Sequence, residues 1–239
     1  MNAIELQDLT KKYGNKTVVD RLCLHVPEGE LLALLGLNGA GKSTTIRMLS
    51  CLTSPDSGEA TLLGHSIRQE PEKVKQIIGV SPQESATAPN LTVLENLELM
   101  AALYGTPKNI IEELEERFSL STVRNQKSKT LSGGWRRRLS IAMAMAGNPK
   151  ILFLDEPTLG LDIVARRELW NFIRSLKGKM TVVLTTHYLE EAEALADHVA
   201  VLTEGKLRAF GTAQELIAQT GAASFEDAFL CLTGKEALA

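Results

Sequence analysis

The sequence predicts an α/β chain: a mostly parallel sheet covered by helices, an antiparallel β portion near the start, and a helical lobe inserted between strands. Three observations lead there. Residues 30–35 and 151–154 are short, continuous apolar runs, the composition of strands buried on both faces. Strand-like and helix-like segments alternate through most of the chain, as in sheets built from crossover units. From 91 to 147 that alternation stops and the pattern is nearly all helical. At 239 residues the chain holds one large domain, or one domain with an inserted lobe.

Taken in order, residues 4–9 and 22–26 alternate apolar and polar side chains, which predicts strands of a half-exposed antiparallel sheet. Residues 11–16 between them read as a turn carrying Tyr13. After the apolar run at 30–35, residues 45–49 open a helix. Ser54, Pro55, Asp56, Ser57 and Gly58 make a turn, followed by a strand at 59–63, a helical piece at 70–76 and a strand at 77–80. In the helical block, Leu94, Leu97, Met100, Ala101 and Tyr104 share one face, as do Ile110, Ile111, Leu114 and Phe118; both stripes read as core. A helix follows from about 135 to 146. The α/β pattern then resumes: strand 151–154, helix 163–176, strand 181–186, helix 190–196, and a closing pair at 199–202 and 206–210. From about 220 onward the chain reads as short helix or tail.

Composition narrows the function. Hydrophobic residues make up 44% and charged residues 23%, the balance of an ordinary globular chain. A net charge of −3 argues against nucleic acid as the main partner, since phosphate-backbone binders carry a basic excess. The three cysteines are scattered without C-x-x-C pairing, which suits buried thiols in a reducing compartment. The first residues lack a signal-peptide core, and there is no run of roughly 18 apolar residues to span a bilayer, so a membrane role has to come through a partner.

The stretch Gly36-Leu37-Asn38-Gly39-Ala40-Gly41-Lys42-Ser43-Thr44 fits G-x-x-x-x-G-K-[ST], with a predicted strand before it and a helix after it. Glycines at 36, 39 and 41 let backbone N–H groups converge into a nest for a phosphate chain, and the helix N-terminus adds positive potential there. Lys42 can reach the outer phosphates. The Ser43 hydroxyl suits Mg²⁺, a hard cation that prefers oxygen. Asp155 and Glu156 end the most hydrophobic strand, where a carboxylate pair is expensive unless used. Phosphate chemistry supplies the use: one carboxylate for the metal, one to orient and deprotonate water. Leu131-Ser132-Gly133-Gly134 precedes a helix and offers a second anion site of the same physics. His187 follows the strand at 181–186, at the ligand-bearing edge of a parallel sheet, and Gln83 sits at another strand end, within reach of Mg²⁺ or water.

This set, with Leu161-Asp162, resembles in content and order the ATP-binding cassette of ABC transporters. The resemblance covers essentially the whole chain. It implies a P-loop NTPase fold with a RecA-like core, an antiparallel β-subdomain and a helical subdomain near 84–148, the cassette spanning 1–220 and a short tail 221–239. It implies ATP and Mg²⁺ as cofactors and a second cassette, identical or not, so that each ATP lies between the phosphate loop of one and Ser132, Gly133 and Gly134 of the other. Tyr13 would stack on adenine, Glu156 act as base, Asp155 hold the metal, Gln83 link the site to the membrane partner, and His187 act as the switch. Asp162 belongs to the loop crossing the interface. Integral membrane permease subunits would be the other partners, placing the chain in the cytoplasm against the inner face of the membrane. The 159–162 and 185–193 stretches and the 224–229 ending look most like exporters of drugs or lipids. The rival reading is a soluble ABC ATPase acting on ribosomes or DNA; single-cassette length, the acidic balance and the lack of a heptad run weigh against it. A P-loop kinase or GTPase leaves Ser132–Gly134 unexplained. One departure stands out: the fifth signature position, usually Gln, is Trp135, whose indole accepts no hydrogen bond but can pack at an interface.

Overall fold

The computed structural model describes residues 1–84 and 86–234; the last five residues of the expected tail lie outside the described residues. Two long strands open the chain, β1 (Asn2–Tyr13) and β2 (Lys16–Pro27). The expected turn at 11–16 shrinks to Gly14 and Asn15, because cross-strand pairing continues to Tyr13 and Lys16. Then come β3 (Leu31–Leu35), α1 (Lys42–Leu49), β4 (Ser57–Leu62), β5 (His65–Ser66), α2 (Pro71–Ile77) and β6 (Ile78–Ser81). The helical block holds α3 (Val93–Tyr104), α4 (Asn109–Arg117), two short 3₁₀ turns and α5 (Gly133–Met145). The remainder is β7 (Ile151–Asp155), α6 (Ile163–Leu176), β8 (Thr181–Thr186), α7 (Leu189–Leu195), β9 (His198–Thr203), β10 (Lys206–Gly211), α8 (Ala213–Thr220) and α9 (Phe225–Thr233).

Two sheets form. The first, in the order β2-β1-β4-β5, is antiparallel throughout. The second, β10-β9-β3-β8-β7-β6, is parallel except for β10 at its edge. Successive residues of the parallel strands pack into different cores. Leu31, Ala33 and Leu35 join one with α3, α5 and α6 residues; Leu32 and Leu34 join the other with β1, β2 and α1. Burial on both faces is why these strands read as continuous apolar runs.

The helical block connects β6 to β7, two parallel neighbours, so its residues can leave and rejoin the sheet without disturbing strand order. Thr92 and Glu95 form a capping box that starts α3. Asn96, wholly buried, accepts the Ala88 N–H and donates to carbonyls of Ala88, Leu91 and Thr92, fixing the loop that leads back from Gln83. Of the expected α3 stripe, Leu97 and Ala101 are buried, but Tyr104 is 40% exposed. Its ring lies on Gly147, where a Cβ would come within 2.8 Å. Helix α8 escaped the sequence reading although Thr212 and Glu215 carry the capping-box spacing. The cysteines correct another expectation: Cys23 and Cys231 are exposed and Cys51 is half-buried. Cys23 falls on the outward positions of β2, whose alternation decides burial more than side-chain chemistry does.

Candidate active site

Four strands deliver their carboxyl ends to one edge of the parallel sheet. In register, Leu35 pairs with Thr186, Asp155 with Thr185, and Ser81 with Leu154. The loop after β3, the carboxylates ending β7, His187 after β8 and Gln83 after β6 therefore meet, as ligand sites do at a parallel-sheet edge.

The loop from Gly36 to Gly41 is shaped by close approach. At Gly36 a Cβ would lie 2.4 Å from the Leu202 carbonyl oxygen. Gly41 has φ of 98° and would place a Cβ 2.6 Å from the Val18 carbonyl oxygen, so both conformation and space demand glycine. Gly41 is the N-cap of α1 and no side chain caps the helix, which leaves its first N–H groups to the loop's interior. Val18, Asn38, Gly39, Ala40, Gly41, Lys42, Ser43, Thr44, Gln83 and Glu156 line one cavity of about 280 Å³.

Lys42 is buried at 5% exposure and folds back onto the loop, donating to the carbonyls of Gly36 at 2.6 Å and Leu37 at 3.3 Å. Its Nζ lies 3.7 Å from Glu156 Oε1. Burial lowers the Lys42 pKa, and the neighbouring Glu156 and Asp155 charges oppose that shift. A triphosphate offers this ammonium better-matched anionic partners than two carbonyls.

The carboxylates are held differently. Asp155 Oδ1 accepts the Ser43 hydroxyl at 3.0 Å and the Thr185 hydroxyl as well. Glu156 has a φ of 47°, in the left-handed region that costs a non-glycine residue about 1–2 kcal/mol. Its N–H donates to Thr185 Oγ1 at 3.0 Å and to the Thr185 carbonyl at 3.2 Å, which fixes that backbone. Its side chain then reaches both Lys42 and His187, whose Nδ1 is 3.1 Å from Glu156 Oε2 without hydrogen-bond alignment.

Arg137, in α5, escaped the sequence reading. It is 7% exposed and donates to the carbonyls of Pro82, Asp155 and Pro157 at 2.5, 2.6 and 2.9 Å. One guanidinium thereby joins the strand end before Gln83 to both sides of Glu156. Burial lowers its pKa to about 10, against the pull of the Asp155, Glu191 and Glu156 carboxylates. The available signal was a charge on the apolar stripe of α5, three and four residues before buried Ser140 and Ile141. Thr185 was also passed over, since a threonine in a buried strand carries no distinguishing pattern.

Two expected groups stand apart. Ser132 is the N-cap of α5, without a side-chain cap bond, and Gly133 and Gly134 form its first turn, so the helix starts two residues earlier than read. With Trp135, Arg138 and Asp162 they line a separate cavity of about 590 Å³ that shares no residue with the phosphate-loop cavity. Trp135 is half-buried, with the Arg138 guanidinium 4.9 Å from its ring centre and Arg138 paired to Glu168. Tyr13, 48% exposed at the end of β1, stands outside the phosphate-loop lining, with the Lys11 ammonium 5.5 Å from its ring centre. Among the described residues no cluster of three or more His, Cys, Asp or Glu could hold a metal. No helix among them is long and apolar enough to cross a membrane.

Comparison with known proteins agrees with this chemistry. The ABC transporter family model matches residues 19–159. The daunorubicin/doxorubicin resistance ATP-binding protein DrrA of Streptomyces peucetius is 45% identical over 92% of this chain and 68% of its own length. The Nod factor export ATP-binding protein I of Burkholderia pseudomallei is 42% identical over 90% of this chain and 72% of its own. The phospholipid-transporting ATPase ABCA7 of Homo sapiens is 41% identical over 90% of this chain, which spans only 10% of that protein. A solved ATP-binding subunit of an ABC transporter superposes with a TM-score of 0.88 at 31% identity, covering 97% of this chain and 99% of that one. The cassette MJ0796, solved as a dimer in a post-hydrolysis state bound to ADP and Pi, gives 0.80 at 28% identity, covering 87% and 98%. With its phosphate loop, paired carboxylates and Ser-Gly-Gly helix start on a matching fold, the chain belongs to the ABC transporter family, as an ATP-binding and ATP-hydrolysing subunit.

Proposed function

We propose that two copies, or this chain and a similar cassette, close on ATP, each nucleotide held by the phosphate loop of one and Ser132, Gly133 and Gly134 of the other. The observation that carries this is the separation of the two anion-type sites within one chain. The phosphate-loop cavity and the Ser132–Gly134 cavity share no residue, an arrangement that suits two half-sites completed by a second cassette. The cassette is assigned to residues 1–220, with about 84–148 as helical subdomain and 221–239 as tail.

In this reading Lys42 leaves the loop carbonyls for the outer phosphates. Glu156, set by its left-handed backbone, takes a proton from the attacking water, and His187 beside it faces the phosphate being transferred. Ser43 and Asp155 would hold Mg²⁺. Their oxygens lie 3.0 Å apart, and a hydroxyl with one carboxylate suits an ion that keeps its waters and phosphate oxygens. When bound, the ion would neutralise charge developing on the phosphate oxygens. Tyr13 is assigned to the adenine; its exposure leaves the ring free to pack there. Gln83 and the surface from 83 to 97 would pass closure to integral permease subunits, which would keep the chain at the cytoplasmic face of the membrane. Drug- or lipid-like cargo is supported by relatives named for daunorubicin resistance, Nod factor export and phospholipid transport. The same names leave the ribosome or DNA reading without support.

Glu156→Gln removes the base and keeps the size. It should retain ATP binding, lose nearly all turnover, and form an ATP-dependent dimer on size-exclusion chromatography. Turnover at the parent rate would remove the role given to Glu156.

A further inference from the structure

Glu191 lies in α7, one turn after His187, and is wholly buried. No step above uses it. A carboxyl so placed is costly unless its oxygens are met. Oε1 accepts the Trp170 indole N–H at 3.0 Å. The Thr186 and Thr158 hydroxyls face the same carboxyl. Thr186 Oγ1 already accepts the Tyr188 N–H at 2.9 Å, so its own proton is available to an acceptor. Glu191 Oε2 and Thr158 Oγ1 are both buried without an aligned partner. Each is therefore a buried polar atom whose hydrogen-bonding capacity is unspent.

The position joins three segments. Thr158 belongs to the turn after Glu156, and Thr186 to the strand end before His187. Trp170 belongs to α6, whose first turns line the Ser132–Gly134 cavity through Asp162, Val164, Ala165 and Glu168. Burial pushes the Glu191 carboxyl up, with the three donors and the nearby Arg137 charge acting the other way.

We infer that Glu191 is a positioning residue, tying the His187 loop and the Glu156–Thr158 turn to helix α6, so that movement of the partner-facing wall reaches the hydrolytic site. The inference rests on the roles given above to Glu156 and His187. Trp170 is then a built-in reporter, because its indole touches Glu191 directly.

The test uses the full chain in a Trp135→Phe background, where Trp170 is the sole tryptophan of the two present. Addition of ATP should change Trp170 emission, and Glu191→Gln should abolish that change. Glu191→Gln should lower kcat by about tenfold or more with KM held within about twofold, the split expected when an interaction orients reacting groups rather than binding substrate. Trp170→Phe, which keeps a ring and removes the N–H, should lower kcat in the same direction and carries the test if Glu191→Gln does not fold. Parent-level kcat in the folded variant overturns the inference, as does a proportional loss of kcat, KM and thermal stability. If Glu156→Gln is inactive while Glu191→Gln is fully active, only this inference falls. If Glu156→Gln is active, the reading of Glu156 falls and takes the inference with it.

Discussion

The Thr185 hydroxyl is the most exacting place to test the hydrolytic site. Thr185 is wholly buried; its hydroxyl donates to Asp155 Oδ1 and accepts the Glu156 N–H at 3.0 Å. Thr185→Val keeps the shape and removes both contacts. The Glu156 N–H keeps the Thr185 carbonyl at 3.2 Å, so the main loss is one hydrogen bond to a carboxylate, worth about 1.5–3 kcal/mol. Taking about 2 kcal/mol, the melting temperature of a domain this size should fall by roughly 4–8 °C. Urea unfolding without nucleotide measures the same loss independently. Asp155 would also be less well oriented, and the Mg²⁺ concentration for half-maximal ATPase should rise by about tenfold or more, as for other partners of metal-holding groups. Thr185→Ser separates the two effects. It keeps the hydroxyl and gives up one buried methyl, about 0.8 kcal/mol, so it should lose some stability with little change in Mg²⁺ requirement. The reasoning is refuted if Thr185→Val lies within about 0.5 kcal/mol of the parent with an unchanged Mg²⁺ requirement. It is equally refuted if Thr185→Ser weakens Mg²⁺ as much as Thr185→Val does.

Further outcomes follow from other contacts. Trp135, beside Ser132 and Gly134 in the larger cavity, should change fluorescence when ATP closes the pair, read in a chain carrying Trp170→Phe; a silent Trp135 in a demonstrable dimer places it away from the interface. Gly41→Ala has to fit a Cβ 2.6 Å from the Val18 carbonyl at a φ of 98°, so it should cost more than about 1 kcal/mol in urea unfolding and weaken ATP binding in equilibrium dialysis. Glu115 in α4 is 3% exposed, and burial raises its pKa against the opposing Arg124 charge. A folded-state pKa above the unfolded one gives stability that is full in acid and lost as pH rises through the folded value. Glu115→Gln should therefore gain on the parent in urea midpoint as pH rises from the ordinary carboxylate range toward neutrality, and a difference that shrinks with rising pH contradicts the shift.

Much of the site was legible because its signals are contiguous. The run from Gly36 to Thr44 carries its own backbone geometry, and the apolar strands before Gly36 and Asp155 announce burial on both faces. Two capping boxes mark helix starts, and the sequence reading used neither of them. The expected turn around Tyr13 was too long, since alternation weakens toward a hairpin end while pairing persists. Cys23 and Cys231 were misjudged because residue type predicts burial only on average.

The sequence by itself determined which local pieces exist: a glycine-rich loop between a strand and a helix, a carboxylate pair at a buried strand end, and a serine before two glycines at a helix start. Each is set by neighbours in the chain, through backbone conformation and hydrophobic period. Only the tertiary structure decided which pieces meet. It brings Lys42, Glu156 and His187 together and keeps Ser132 in another cavity. It turns Thr185 and Arg137 into the supports of Asp155 and Glu156. The reason is physical: Arg137 binds backbone carbonyls, which every residue possesses, so the acceptor side of such contacts leaves no mark in the amino-acid sequence.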